Sequence, residues 1–233
     1  MTTLIIGAKC KDGIVIGSDR KIQRGGETSY ANKIFEFDVG GKVIFAAEGL
    51  TGIRDDFFYL LNSEIRRRRV VDTLYEIKLI VEDIIANLTE RYRERVDDPS
   101  PVGVLMGGLE NLTRGSAQVY YVHGVGYGEL VTFRCSGHGA NYAYSIAKFL
   151  CGHPICEDMV TDEVAARIAY TISWVSEDVD STVGGPPSVA IMKNEESRIN
   201  YLEEDFVNKI DQNVKKHRAK LPSLLEFCKE KIE

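Results

Sequence analysis

The sequence predicts an α+β fold of four layers: two β-sheets packed face to face, a pair of helices on each outer face, and a helical extension at the C-terminus. Three observations carry that expectation. The first is the order of elements along the chain: strands, two helices, strands, two helices, strands. The second is the change of period, from short apolar runs bounded by glycine to apolar residues at i, i+3, i+4 and i+7. The third is the lack of an internal repeat or low-complexity linker, which gives one domain over residues 1–202 and an appended segment over 203–233.

Taken in order, Thr3–Ile6 and Ile14–Ser18 are apolar runs around Lys11-Asp12-Gly13, and Asp-Gly between two such runs is a strong hairpin signal. Lys33–Phe37 and Lys42–Ala47 repeat the pattern around Val39-Gly40-Gly41. Asp55–Arg68 and Val71–Tyr92 have helical periodicity, the second through Leu74, Ile77, Ile80, Val81, Ile84, Ile85 and Leu88. Asp97–Pro101 ends that helix, since proline cannot continue it. Val102–Gly107, Ser116–Val122 and Leu130–Cys135 read as strands, and Asn141–Leu150 and Thr161–Val175 as helices. Ser188–Met192 reads as a central strand with Arg198–Tyr201 beside it. Glu203–Lys220 and Ser223–Ile232 read as two charged amphipathic helices broken at Pro222.

A chain of 233 residues can bury a sizeable single core. The net charge of −6 argues against a general nucleic-acid binder, which carries a basic surplus. The basic run Arg66-Arg67-Arg68-Arg69 lies on a helical stretch and reads as a solvated face or subunit contact. No apolar run approaches the ~20 residues of a membrane helix, and Met1-Thr2-Thr3-Leu4 has no signal-peptide character, so a cytoplasmic protein is expected. Five cysteines (Cys10, Cys135, Cys151, Cys156, Cys228) fit reduced thiols better than a disulfide framework. Cys151-Gly-His153-Pro-Ile-Cys156 has part of a metal-site pattern but no second ligand pair, so no metal or other cofactor is expected.

The residues with catalytic potential lie near the start. Methionine ahead of a small residue is commonly removed, which exposes the α-amine of Thr2. A threonine hydroxyl needs a base to take its proton, and its own α-amine, with an ordinary pKa near ~8, can serve. A buried lysine nearby disfavours further positive charge, and a carboxylate would hold that lysine in place. Asp19, ending the second strand, and Lys33, starting the third, can meet at one sheet edge beside the chain start. From their chemistry alone, plain strand-start, turn and surface roles are the reading these residues favour.

Four segments together resemble the proteasome β subunits and their bacterial relatives, a family of N-terminal-nucleophile (Ntn) hydrolases. The opening from Thr3 to Asp19-Arg20 runs threonine, apolar strand, Lys-Asp-Gly turn, apolar strand, Asp-Arg. Asn32-Lys33-Ile34-Phe35 is similar to the family segment that carries its catalytic lysine. Gly137-His138-Gly139-Ala140-Asn141-Tyr142-Ala143 resembles a Gly-Ser-Gly-Gly-Asn-Tyr-Ala stretch, and Asp180-Ser181-Thr-Val-Gly184-Gly185 an Asp-Ser-x-Ser-Gly-Gly segment. The resemblance covers roughly residues 2–195 in family order.

That resemblance implies a threonine-type amide hydrolase acting on a peptide or protein substrate. The N-terminal threonine would be nucleophile, Lys33 and Asp19 would tune it, and a backbone N–H of the Ala47–Gly49 turn would form the oxyanion hole. Asp180 and Ser181 would sit close to the amine, and Phe45 would line the substrate pocket. Assembly as a homo-oligomer follows from the same likeness. A transpeptidase or ligase is a variant, since an amine can replace water at the acyl-enzyme. Counting back from Asp19 puts the nucleophile on Thr3, whereas methionine removal exposes Thr2, and adjacent strand residues point to opposite faces. His138 replaces one family serine, as an alternative donor or extra base, and Val183 replaces another. A non-catalytic ring or scaffold subunit is therefore the alternative, and an adaptor role for the C-terminal helices a further one.

Overall fold

The computed structural model describes residues 3–24, 27–68, 71–96, 102–152, 155–178 and 182–229. Thr2, Arg69, Asp97–Pro101, His153, Asp180, Ser181 and the end of the expected last helix lie outside the described residues. The first half contains β1 (Leu4–Cys10), β2 (Gly13–Ser18), β3 (Lys21–Arg24), β4 (Glu27–Tyr30), β5 (Ile34–Asp38), β6 (Lys42–Gly49), α1 (Thr51–Arg67) and α2 (Leu74–Tyr92). The second contains β7 (Val102–Leu109), β8 (Ala117–His123), β9 (Tyr127–Leu130), β10 (Phe133–Gly137), α3 (Ala140–Cys151), α4 (Thr161–Asp178), β11 (Ser188–Lys193), β12 (Asn200–Tyr201) and α5 (Glu204–Lys229).

Two antiparallel five-stranded sheets result, in the orders β10-β1-β2-β11-β12 and β5-β6-β7-β8-β9. Strand alternation divides their side chains among three cores. In β1, Leu4, Ile6 and Ala8 join Ile168, Ile172 and Val175 of α4 in an outer core. Ile5 instead joins Ile44, Ala46 and Val119 between the sheets. In β6, Val43, Phe45 and Ala47 face Phe57, Leu61 and Ile77 of α1 and α2 in the second outer core. The central strands thus bury both faces, which is why they read as unbroken apolar runs. The layers are α1/α2, sheet, sheet, α3/α4, as expected from the sequence.

The hairpin turn does a second job: Asp12 accepts hydrogen bonds from Thr161 N at 2.7 Å and Thr161 Oγ1 at 3.3 Å, satisfying a donor at the N-terminus of α4. Helix α2 starts with a capping box, in which Thr73 accepts from Glu76 N and Glu76 accepts from Thr73 N.

Four features differ from the sequence reading. The β3–β4 hairpin was not foreseen, because β4 is exposed at every position and no buried face imposes a pattern. The expected single strand Leu130–Cys135 is two, because the chain crosses from one sheet to the other between β9 and β10. Helix α1 begins at Thr51, four residues before the expected start. Pro222 does not break the last helix: α5 runs through it, since a proline removes one hydrogen bond and crowds one carbonyl without forbidding the turns on either side. The first half of α5 packs on the domain through buried Val207, Ile210 and Val214, and His217 Nδ1 shares a 2.9 Å hydrogen bond with Tyr170 Oη of α4. Among the described residues no helix is long and apolar enough to cross a membrane.

Candidate active site

Asp19 follows β2 and Lys33 precedes β5, and the structure brings them together at one end of the sandwich. Lys33 Nζ donates to Asp19 Oδ1 at 2.7 Å, and the same oxygen accepts Leu4 N at 2.9 Å. Asp19 Oδ2 accepts Lys21 N at 3.1 Å and Gly184 N at 3.2 Å. Asp19 N returns a bond to Leu4 O at 3.1 Å. One carboxylate thereby ties together the start of β1, the end of β2 and the loop before β11. Both side chains are fully enclosed, and a buried charge is tolerated only when paired in this way.

Burial lowers Lys33 below the ordinary lysine value; Asp19 opposes that shift, and the nearby guanidinium of Arg54 adds to it. Burial likewise pushes Asp19 up, against Lys33 and the backbone N–H groups of Leu4 and Gly184. Arg54, buried in the first turn of α1, was not found from sequence. Its one signal is a cation where the helix dipole disfavours one.

Thr3 is buried at the head of β1, and its carbonyl oxygen accepts His138 N at 3.0 Å. Leu4 faces the helices and Ile5 the space between the sheets. Continuing that alternation back places Thr3 on the Ile5 face, which it shares with Ile34, the neighbour of Lys33. His138 touches Thr3 only through its backbone N–H among the hydrogen bonds described, and its side chain is exposed. Val183 lies in the apolar core with Val175 and presents no hydrogen-bonding group. Gly49 ends β6 with φ 114°, two residues before α1. Phe45, expected at a substrate pocket, is fully enclosed instead: strand alternation turns it to α1 and α2, where it packs edge-on to Phe37 at 5.3 Å.

A second polar cluster was not found from sequence. Tyr121 Oη donates to Glu48 Oε1 at 2.9 Å, Ser136 Oγ donates to the same oxygen, and the two hydroxyl oxygens lie 2.8 Å apart. Burial, with the Glu48 charge beside it, pushes Tyr121 up to about 12. The Arg134 guanidinium sits 4.4 Å over the Tyr121 ring. The signal was available: Glu48 continues the Ile44–Ala46 face of β6 with a charge. Glycine 137 joins this cluster to Thr3. A Cβ there would fall 1.9 Å from Thr3 O and 3.1 Å from Glu48 Oε2.

In the cysteine segment Cys151 and Cys156 are described, and His153 lies outside the described residues. The neighbouring Cys156 thiol holds the Cys151 thiol below the ordinary cysteine value, and no metal-holding group of His, Cys, Asp or Glu occurs among the described residues.

Comparison with known proteins bears on this arrangement. A family model described as proteasome subunit matches residues 2–191. The fold is similar to that of Anbu, an ancestral beta-subunit, from Yersinia bercovieri, with a TM-score of 0.77 at 14% identity over 94% of this chain and 97% of that one. Anbu from Hyphomicrobium sp. strain MC1 gives 0.74 at 13% identity, over 94% and 97%. The Anbu complex of Pseudomonas aeruginosa, described as a helical assembly, gives 0.75 at 18% identity, over 96% and 95%. No curated protein matches the chain in sequence.

Proposed function

The chain belongs to the proteasome subunit family, and on that premise we propose that it is a threonine-type Ntn amide hydrolase with Thr3 as nucleophile. The observation that carries this reading is the enclosed Asp19–Lys33 pair at 2.7 Å, bonded through Leu4 N to the residue after Thr3. The alternation of β1 favours Thr3 over Thr2, because Thr3 shares the inter-sheet face with the Lys33 end of β5.

In this reading, residues ahead of Thr3 are removed and its α-amine becomes the base. The amine takes the Oγ proton as Oγ attacks the amide carbon of a peptide or protein substrate. Lys33 stabilises the negative charge developing on Oγ, and Asp19 holds Lys33 in place. The N–H of Gly49 receives the oxyanion. The amine then passes its proton to the leaving nitrogen, and water, or an amine in a transpeptidase, resolves the ester. Asp180 and Ser181 are assigned by family resemblance to the surroundings of the amine. Family membership also supports self-assembly of this chain into a homo-oligomer.

Intact-mass analysis with a threonine-directed β-lactone tests this. The expected result is a chain starting at Thr3 with one adduct, lost in Lys33→Ala. A chain that retains the residues ahead of Thr3 and takes no adduct would replace this reading with that of a non-catalytic ring or scaffold subunit.

A further inference from the structure

We infer that Glu48 is a positioning residue that receives the α-ammonium of Thr3 and holds the amine beside the threonine hydroxyl. The inference rests on the reading of Thr3 as nucleophile. In extended backbone the N–H and C=O of one residue point to the same side of the strand. The Thr3 carbonyl points to β10, where His138 N meets it, so the Thr3 nitrogen points to β10 as well. Glu48 Oε2 lies against Gly137 at that place, close to the point that also meets Thr3 O. Glu48 Oε1 is held by Tyr121 and Ser136, which aims the carboxylate, and no donor to Oε2 occurs among the described residues.

The surroundings call for such a group. Beside Asp180 and Ser181, family resemblance expects two further serine hydroxyls near the amine, and in their places His138 is exposed and Val183 is apolar. An ammonium formed when the amine takes the Oγ proton needs an acceptor, and Glu48 supplies one with a full charge. Glu48 accepts a hydrogen bond from the ammonium and does not take its proton, so the proton remains available to the leaving nitrogen. Among the described residues the other charged or titratable groups around this end are Asp19, Lys21, Lys33, Arg54, Tyr121, Arg134 and His138, and Asp180, assigned to the same surroundings by family resemblance, lies outside them.

The test is the pH dependence of β-lactone acylation of the full chain, with the modified residue located by peptide mapping. A carboxylate beside an ammonium raises the amine pKa, so Glu48→Gln, which keeps the acceptor for Tyr121 and Ser136, lowers it. The rise of rate with pH then moves down by about one unit, and the plateau falls about tenfold. Glu48→Asp, with the carboxylate drawn back by one methylene, shifts the profile in the same direction by less, and serves if Glu48→Gln does not fold. Thr73→Ala, at the cap of α2 and away from this cluster, leaves the midpoint in place. An adduct on Thr3 whose midpoint is unmoved in both Glu48 variants overturns this inference and leaves the hydrolase reading standing. An adduct on Thr2, or none, overturns both.

Discussion

Lys33 Nζ and Asp19 Oδ1 stand 2.7 Å apart, 14 residues separated in sequence, with neither side chain reaching solvent beyond 1%. Removing one partner leaves the other as an uncompensated buried charge, and such losses cost about 3–5 kcal/mol. Lys33→Ala is therefore expected to lower Tm by about 10 °C at the ~2–4 °C per kcal/mol typical of domains of this size. The double variant Lys33→Met with Asp19→Asn removes both charges and is expected to recover part of that loss, since an amide cannot accept at both oxygen positions, while taking no β-lactone adduct. Calorimetry of the three proteins checks this, and a Lys33→Ala melt within 2 °C of the parent would refute the enclosed pair.

The reach of the sequence follows from which contacts are local. The Asp12-Gly13 turn, the α2 period and the apolar central strands depend on neighbours a few residues away, and their pattern survives in the sequence. Asp19 and Lys33 were legible because family-like segments flank them in order. Glu48, Tyr121 and Ser136 were not: their bonds span 73 and 88 residues, the second of them between the two sheets, and no local period records such a pairing. The break between β9 and β10 was hidden for the same reason, since Leu130–Cys135 is apolar enough to be one strand until its two ends are assigned to different sheets. Phe45 was misplaced because a strand buried on both faces gives no polar alternation to tell its faces apart.

The capping box of α2 gives a stability prediction independent of function. Thr73 Oγ1 accepts Glu76 N at 3.2 Å, and Glu76 Oε2 accepts Thr73 N at 3.0 Å. Thr73→Ala removes the cap and is expected to cost about 1 kcal/mol. Urea unfolding should show a lower midpoint with an unchanged m-value. Acylation by the β-lactone should be unaffected, because α2 packs on the sheet remote from Asp19.

Tyr121 predicts an alkaline loss of stability. Its hydroxyl is held up to about 12 by burial and by Glu48, above the ordinary value of 10.0. Between those values the folded protein keeps a proton that the unfolded chain has released. Stability from this group is thus complete below about pH 10 and falls as pH rises through about 12, by roughly 1.4 kcal/mol per unit of pKa difference. Tyr121→Phe has no such group, so the stability gap between parent and variant should narrow by a few kcal/mol from pH 9.5 to 12. Urea titrations at both pH values measure the gap, and a constant gap would mean that Tyr121 titrates normally.

Gly137 makes the most stringent demand on the threonine end. Its φ is +98°, which a side chain rarely adopts, and a Cβ would stand 1.9 Å from Thr3 O, a backbone atom that cannot rotate away. Gly115 has nearly the same φ, +99°, but a Cβ there would meet nothing closer than 3.7 Å. Gly115→Ala should therefore cost only the conformational strain, about 1–3 kcal/mol. Gly137→Ala carries that strain and must also push β10 away from the head of β1, which displaces Thr3 from Lys33. A displacement near 1 Å at a reacting group costs about 100-fold in rate. Gly137→Ala should thus lose β-lactone acylation by about that factor, while Gly115→Ala keeps the parent rate. Equal acylation rates in the two variants would show that the contact of Gly137 with Thr3 does not govern the position of the threonine.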